Sequence, residues 1–347
     1  MSETITTPQF PLNSEWGRGI EPAEVLRLGR IIAQAEAGAF HRPDERVSFA
    51  RMFCTSIVEV IWSRVLSCDG SVWTLPQLFV PMAGLPKSSR MNSVAVAMGD
   101  AAGTLDLQSG SEAIGTIYTS LLPDKQRSEL GSCSTPPALV QRLLDMAACA
   151  GVNWRTCSVC DPACGSGAFL APIAARMAEE NRHVPPKMLL RALSQRLHGW
   201  DIDPFAAWLG QVFLELAVKD VCRKAGERLP MMVEVTDSLS RKKLEANYDL
   251  VVGNPPSGRI TLVPNLRRRY RRSLYRHADC YGLFTDMALR LTRRDGIVAY
   301  VTPAGFPTDE CFKALNTVLA NEASPVNLDF ASDRHESLLV TFKRGDA

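Results

Sequence analysis

The sequence has no apolar run close to the length of a membrane span, and its polar start, "MSETITTPQF", lacks the basic and apolar regions of a secretory signal. The chain is therefore expected to stay in the cytoplasm. Neither sign of charge is in excess. A net value of +2 gives no overall attraction to nucleic acid or membrane, so any such attraction must come from local patches. No internal repeat or low-complexity segment is visible. The ten cysteines are scattered and follow no secretion signal, which points to reduced thiols. Cys157, Cys160 and Cys164 form a C-x2-C-x3-C run, yet no fourth Cys or His follows at finger-like spacing, and no metal is expected. In "TCSVCDPAC" the first two cysteines read as small apolar residues of a short strand and the third as part of the loop after it.

What is present is the composition of an ordinary globular protein. The 347 residues, 46% hydrophobic and 22% charged, suffice for one large domain and a smaller one. Residues 1–110 read as a mainly helical accessory region. It has a helix over "FARMFCTSIVEVIWSRVL" and then a stretch broken by Pro76, Pro81, Gly84 and Pro86. "GTLDLQSGS" reads as a polar linker, and "EAIGTIYTSLLPDKQRSEL" as a helix opening a second domain, 111–347.

From there helical patterns alternate with short apolar runs: "TCSVCDP", "RLHGWDIDP", "VEVTDSL", "YDLVVGNPP", "GIVAYVTP" and "SLLVTFKR". This alternation predicts an α/β fold with a mostly parallel, doubly wound sheet covered by helices on both faces. Ligands of such sheets sit beyond the carboxyl ends of the strands. That rule selects Asp161 to Gly167, Asp201 to Asp203, Asp237, Asn254 to Ser257, and Thr302 with Pro303.

In "DPACGSGAFL", Gly165 and Gly167 allow a tight turn and close backbone approach to a ligand. The stretch is not a dinucleotide fingerprint, whose third glycine is replaced by Leu170, and no Gly-Lys-Ser/Thr of a triphosphate loop follows. Asp201 stands where an acid often receives the two hydroxyls of a ribose. Asp203 before Pro204 reads as a helix N-cap.

"DPACGSGAFL" and "DLVVGNPPSG", in this order and spacing, resemble motifs I and IV of the S-adenosylmethionine-dependent N6-adenine DNA methyltransferases. The similarity runs from about Glu112 to Arg344. "RSELGSCSTPPALVQRLLDM" resembles motif X, "CYGLFTDMALRLTRRDGIVAYVTP" motifs V and VI, and "ESLLVTFKR" the late strand of motif VIII. The resemblance implies a Rossmann-like methyltransferase, with 111–347 as its catalytic domain and double-stranded DNA as substrate. In it Thr135, Asp161 and Ala163 would hold the methionine end of the cofactor, with Gly165 and Gly167 shaping the loop. Asp201 would take the ribose, Asp237 the adenine amino group, and Phe284 would pack on that ring. Phe284 reads equally as a core residue and Asp237 as a cap.

The resemblance gives "NPP" a chemistry. Asn254 Oδ1 and the Pro255 carbonyl would accept the N–H groups of the target amine, stabilising charge as it develops and directing the lone pair at the methyl group. Pro255 and Pro256 would fix those acceptors. Two departures stand out. Ser257 occupies the place of a stacking aromatic, for which Tyr270 or Phe306 could substitute, and Cys133-Ser134 stand where aromatics are frequent in motif X.

"LRRRYRRSLYRHADCY" adds a basic run whose Arg267, Arg268, Arg269, Arg271 and Arg272 could grip phosphates, or form a solvated face. The chain ends soon after "SLLVTFKRGDA", so sequence recognition is expected from the N-terminal region, a separate specificity or restriction subunit, or a lost portion. Adenine modification in a restriction-modification or related defence system is the expected function. The alternatives are a modification subunit inactive alone and an RNA or protein-glutamine methyltransferase.

Overall fold

The computed structural model describes residues 19–67, 73–78, 80, 85, 88–130, 135–306, 308–330 and 337–345. Pro81, Gly84, Pro86 and the Cys133-Ser134 pair lie outside them. The chain divides into two compact units, Met1–Glu129 and Leu130–Ala347.

The first unit is helical, with α1 (Pro22–Gly38), α2 (Pro43–Ser67), α3 (Ser89–Ala102) and α4 (Leu107–Leu121), followed by α5 (Asp124–Leu130). Residues 73–78, with Pro76, carry no regular structure. The α2 and α3 backbones approach closely because Gly99 has no side chain. A Cβ there would fall 2.5 Å from Val60 Cβ. The expected linker over 103–111 is corrected. Asp106 caps α4 by accepting from the amides of Gln108 and Ser109, and the small residues Gly110 and Ser111 are buried on the packed face of that helix. The single helix expected over 112–130 is also interrupted. Leu122 precedes Pro123 and is extended (φ −66°, ψ 153°), as the clash with a following proline ring dictates.

The second unit opens with α6 (Pro137–Cys149). Then β1 (Val159–Asp161), α7 (Leu170–Glu180), α8 (Pro186–Arg196), β2 (Leu197–Asp201), α9 (Pro204–Ala217), α10 (Lys219–Ala225), β3 (Val233–Val235) and β4 (Tyr248–Gly253) follow. A small excursion holds β5 (Arg259–Ile260), α11 (Pro264–Arg269) and β6 (Ala278–Asp279). The chain closes with α12 (Cys280–Leu291), β7 (Thr292–Pro303), α13 (Lys313–Glu322), β8 (Ala323–Phe330) and β9 (Ser337–Arg344).

Seven strands form one sheet in the order β3-β2-β1-β4-β7-β9-β8. β3 to β7 in that order are parallel, and β9 runs antiparallel to both β7 and β8. The fold class expected from the alternating pattern is therefore present. Both faces are covered. Leu250, Val251 and Val252 of β4 point to alternate sides, yet all are 0% exposed, and each contributes roughly 1.5–3 kcal/mol by burial. On one face Val251, Val298 and Tyr300 pack with Met287 of α12, Leu315 of α13 and Phe312 in the 3-10 turn before α13. The strand order reverses between β1 and β4, so the loops after these two strands diverge and leave a crevice at the carboxyl edge.

The cysteine run takes the bland reading. Cys157, Cys160 and Cys164 are all buried, and burial pushes their thiols up, that of Cys157 to about 12. Cys157 lies just ahead of β1 rather than within it.

Candidate active site

The glycine loop is built on hydrogen bonds to its neighbour strand. Cys164 N donates to Trp200 O (3.0 Å), Gly165 N to Asp201 Oδ2 (2.8 Å), and Gly167 N closes the turn on Cys164 O (2.9 Å). Gly165 has φ +53° and no atom within 4 Å of where a Cβ would stand, so its conformation needs glycine and the space above it is open. Gly167 (φ +84°) has a different constraint, since a Cβ there would lie 3.0 Å from Gly210 Cα on α9. The two glycines seat the loop on that helix. Asp161, at the tip of β1, is 1% exposed and accepts from Ala163 N (3.1 Å). Its carboxyl is pushed up to about 8, chiefly because burial removes water from the charged form. No ion pair to a cation among the described residues offsets that cost.

Asp201, at the tip of β2, binds backbone through both oxygens: Oδ2 holds Gly165 N and Oδ1 holds Asp203 N (2.8 Å). Burial raises it to about 6. Asp203 caps α9 by accepting from Phe205 N (3.0 Å), with Pro204 at the first helical position, as its sequence context predicts. Asp237 is exposed and caps the short 3-10 turn at 238–240 through Leu239 N (3.1 Å) and Ser240 Oγ (2.5 Å). Ser238, which sequence reasoning missed, donates to Pro162 O (2.6 Å) and so ties this turn to the glycine loop. Phe284 is 7% exposed, within the core cluster that includes Trp200 and Val251.

The loop after β4 is anchored at both ends. At its start a Cβ on Gly253 would fall 2.8 Å from Asp161 Oδ1, so glycine is what lets β1 and β4 bring their ends together. Asn254 is half-buried, and its Nδ2 donates to Thr135 Oγ1 at 3.0 Å. With Nδ2 donating to the Thr135 hydroxyl, the amide oxygen is the end of Asn254 that Thr135 does not hold. Pro255 is buried, Pro256 half-buried and Ser257 exposed. Beyond them Gly258 N donates to Asp279 Oδ2 (3.2 Å), and Cys280 N to Gly258 O (2.9 Å). Asp279 also caps α12 through Tyr281 N (3.0 Å), and burial raises its carboxyl. Asp279 was not singled out in the sequence, although an Asp just ahead of a helical pattern is a cap signal.

Two expectations about the aromatic platform are corrected. Tyr270 is 0% exposed, with its hydroxyl on Leu239 O (3.2 Å), and Phe306 is 4% exposed, packed against Tyr281 (5.0 Å between ring centroids) and Phe312 (5.4 Å). Both rings belong to the core, and neither is exposed to serve as a stacking platform. The basic run also divides. Arg267, Arg268 and Arg271 are exposed, whereas Arg269 lies over the Tyr270 ring (5.7 Å). Arg272 is corrected to a structural ion pair: its guanidinium is held by the fully buried Asp286 (2.7 Å) and by Glu322.

Residues 195–334 match the Eco57I restriction-modification methylase family. The stretch contains Asp201, Asp237, the Asn254 loop and the basic excursion. The Type II methyltransferase M.TthHB8I of Thermus thermophilus is 29% identical over 216 residues, 58% of this chain and 41% of that protein. The chain thus spans about two fifths of the length of the curated relative it matches. Among solved structures, the Type IIL restriction-modification enzyme MmeI in complex with DNA aligns with 98% of this chain and 58% of its own, at 15% identity and a TM-score of 0.56. A Listeria monocytogenes structure assigned to the class I S-adenosylmethionine-dependent methyltransferases covers 93% of this chain and 89% of its own, at 12% identity and a TM-score of 0.52. The fold is that of these methyltransferases, and the expected likeness to restriction-modification methyltransferases is present in the family and relative matched. No helix among the described residues is long and apolar enough to cross a membrane.

Proposed function

We propose that residues 130–347 transfer a methyl group from S-adenosylmethionine to the N6 amino group of adenine in double-stranded DNA, as the modification activity of a restriction-modification system. The observation that carries this reading is the bond from Asn254 Nδ2 to Thr135 Oγ1, which leaves Asn254 Oδ1 as an acceptor at the β1/β4 crevice. An amine nitrogen whose lone pair is delocalised into a ring is a poor nucleophile. Asn254 Oδ1 and the Pro255 carbonyl would take its two N–H groups and hold the lone pair in line for attack.

The residues present fit the cofactor. A buried carboxylate without a cationic partner, Asp161, suits an ammonium group, and the open space above Gly165 admits a ligand against the loop backbone. Asp201 keeps lone pairs for ribose hydroxyls beyond its two backbone bonds. Asp237 would accept from the cofactor's adenine and Phe284 would pack on its ring. The cofactor supplies a methyl already activated by a sulfonium, so positioning is the main task left to the protein. The exposed Arg267, Arg268 and Arg271 would meet the DNA backbone. Residues 1–129 would act as an accessory region, and the reaction belongs to the cytoplasm.

A second reading, a modification subunit that needs a specificity or restriction subunit for activity, is favoured by the burial of Tyr270 and Phe306, which leaves Ser257 without an aromatic substitute. Mass spectrometry of host DNA tests both. N6-methyladenine should accumulate when the chain is expressed and not when Asn254→Ala replaces it. Its absence with the wild-type chain alone and appearance with a partner subunit would select the second reading. Its absence in both, with cofactor binding intact, would overturn both.

A further inference from the structure

We propose that a cationic pocket at the amino ends of β4 and β7 binds a phosphate group. The pocket is open, of ≈ 620 Å³, and is lined by Lys242, Leu244, Ala246, Arg269, Arg290 and Arg344. Its four cations come from four places in the chain: the loop before β4, the end of α11, the last turn of α12 and the end of β9. No lining residue is acidic.

The three arginines are held by contacts within the fold. Arg290 forks onto the buried Asp286 (Nε to Oδ1 3.0 Å, an Nη to Oδ2 3.1 Å) and donates to Arg269 O (3.0 Å). Arg344 donates to the Thr292 carbonyl. The guanidinium groups of Arg269 and Arg290 both lie over the ring of buried Tyr270, at 5.7 and 5.3 Å from its centroid. The local carboxylates are already committed, Asp286 to Arg272 and Arg290 and Glu322 to Arg272. Among the described residues Lys242, Arg269 and Arg344 have no carboxylate partner. Three positive charges are thereby left uncompensated around one cavity. Like charges so placed repel, and a tetrahedral phosphate anion relieves the repulsion while its oxygens accept from the free guanidinium N–H groups.

The pocket is not the candidate active site. It lies where β4 begins and Asn254 follows where β4 ends, and six residues of strand span about 20 Å. A phosphate here is not that of a nucleotide reacting at Asn254. It belongs either to nucleic-acid backbone running along the flank of the unit or to free phosphate or a phosphorylated small molecule.

Lys242→Ala/Arg269→Ala tests the proposal in the full chain, because neither side chain makes an ion pair the fold depends on. The melting temperature of the wild-type chain should rise with inorganic phosphate above that in chloride at equal ionic strength, and the double variant should lose most of that rise. In the second arm, binding to a random-sequence duplex is measured against salt. If backbone phosphate is the ligand, the slope of log K against log salt should fall by about two in the variant. An unchanged slope with a lost phosphate response assigns the pocket to free phosphate or a phosphorylated small molecule. An unaltered slope together with no phosphate-specific stabilisation overturns the proposal. The phosphate arm stands whether or not the chain methylates DNA.

Discussion

Asn254 Nδ2 donates to Thr135 Oγ1 at 3.0 Å, joining two residues 119 positions apart. The hydroxyl comes from the segment that enters α6 and the amide from the loop that leaves β4. The bond takes up the nitrogen end of the amide and leaves its oxygen as the end that Thr135 does not hold. Thr135→Val keeps the shape and removes the acceptor, a loss of about 0.5–1.5 kcal/mol. Single-turnover methyl transfer at saturating cofactor should fall by up to about tenfold by the same figure. Thr135→Ser should restore it. An unchanged rate in Thr135→Val would remove the positioning role and leave Thr135 to the cofactor alone.

Asn254→Ala should be far more severe. It deletes one of two acceptors aimed at developing charge, and the loss of one such preorganised partner costs about 100-fold or more. Calorimetry should find cofactor affinity nearly unchanged. A wild-type transfer rate in this variant would end the proposed mechanism, since no other side chain of the loop after β4 offers an amide acceptor.

Asp161 gives the site a pH signature. Its folded pKa of about 8 lies above the unfolded value of 3.8, so the protonated form is favoured by folding. The stability this confers is fully present below about pH 4 and is lost as pH rises toward 8. At pH 7 the group is mostly protonated in the free protein. Pairing with a cofactor ammonium would ionise it, so binding should release a proton and tighten between pH 6 and 8. Calorimetry in buffers of different ionisation enthalpy measures that release, and Asp161→Asn should abolish it. Equal heats in all buffers would show that Asp161 does not meet a cation.

The carboxyl-end residues were legible because buried parallel strands are nearly continuous apolar runs, and "CSVCDP" or "DLVVGNPP" states where the strand stops. β8 was not legible. Its "ASPVNLDF" is an edge strand with Val326 and Leu328 exposed, so it carries no such run. Tyr270 sits in a basic run that reads as surface, yet its ring belongs to the core cluster, with Arg269 and Arg290 lying over it. The partners of Arg272 come from α12 and α13, and no local pattern foretells which of several arginines will find a buried Asp286. The bond between Thr135 and Asn254 is invisible for the same reason: spacing along the chain says nothing about contacts made by folding.

That division among the arginines is measurable. Arg272→Ala takes one of two guanidinium partners from a buried carboxylate, and Arg290 still holds Asp286. Complete loss of such pairing costs 3–5 kcal/mol, so roughly 1–3 kcal/mol is expected here, read as a lower denaturation midpoint. Arg267→Ala/Arg268→Ala/Arg271→Ala should leave the midpoint nearly unchanged and reduce the salt dependence of DNA binding by up to about three counterions' worth. The reverse pattern would return Arg272 to the phosphate contacts and make the exposed three structural.

Ser257→Tyr tests the missing platform. Ser257 is exposed at the end of a loop pinned by Thr135 and Asp279, while Tyr270 and Phe306 are both buried in the core. A tyrosine ring placed there should meet no core residue. Stacking on an extruded base is worth about 1–3 kcal/mol, so the variant should bind a duplex with an unpaired target adenine correspondingly more tightly. Extrusion costs least in that duplex, which makes the stacking gain visible in binding rather than in rate. A duplex with a fully paired adenine should show a smaller gain, because part of the stacking energy offsets unpairing. If the unpaired duplex binds wild-type and variant alike, the base is not extruded toward Ser257. The modification-subunit reading, in which a partner completes the base pocket, then becomes the better account of this loop.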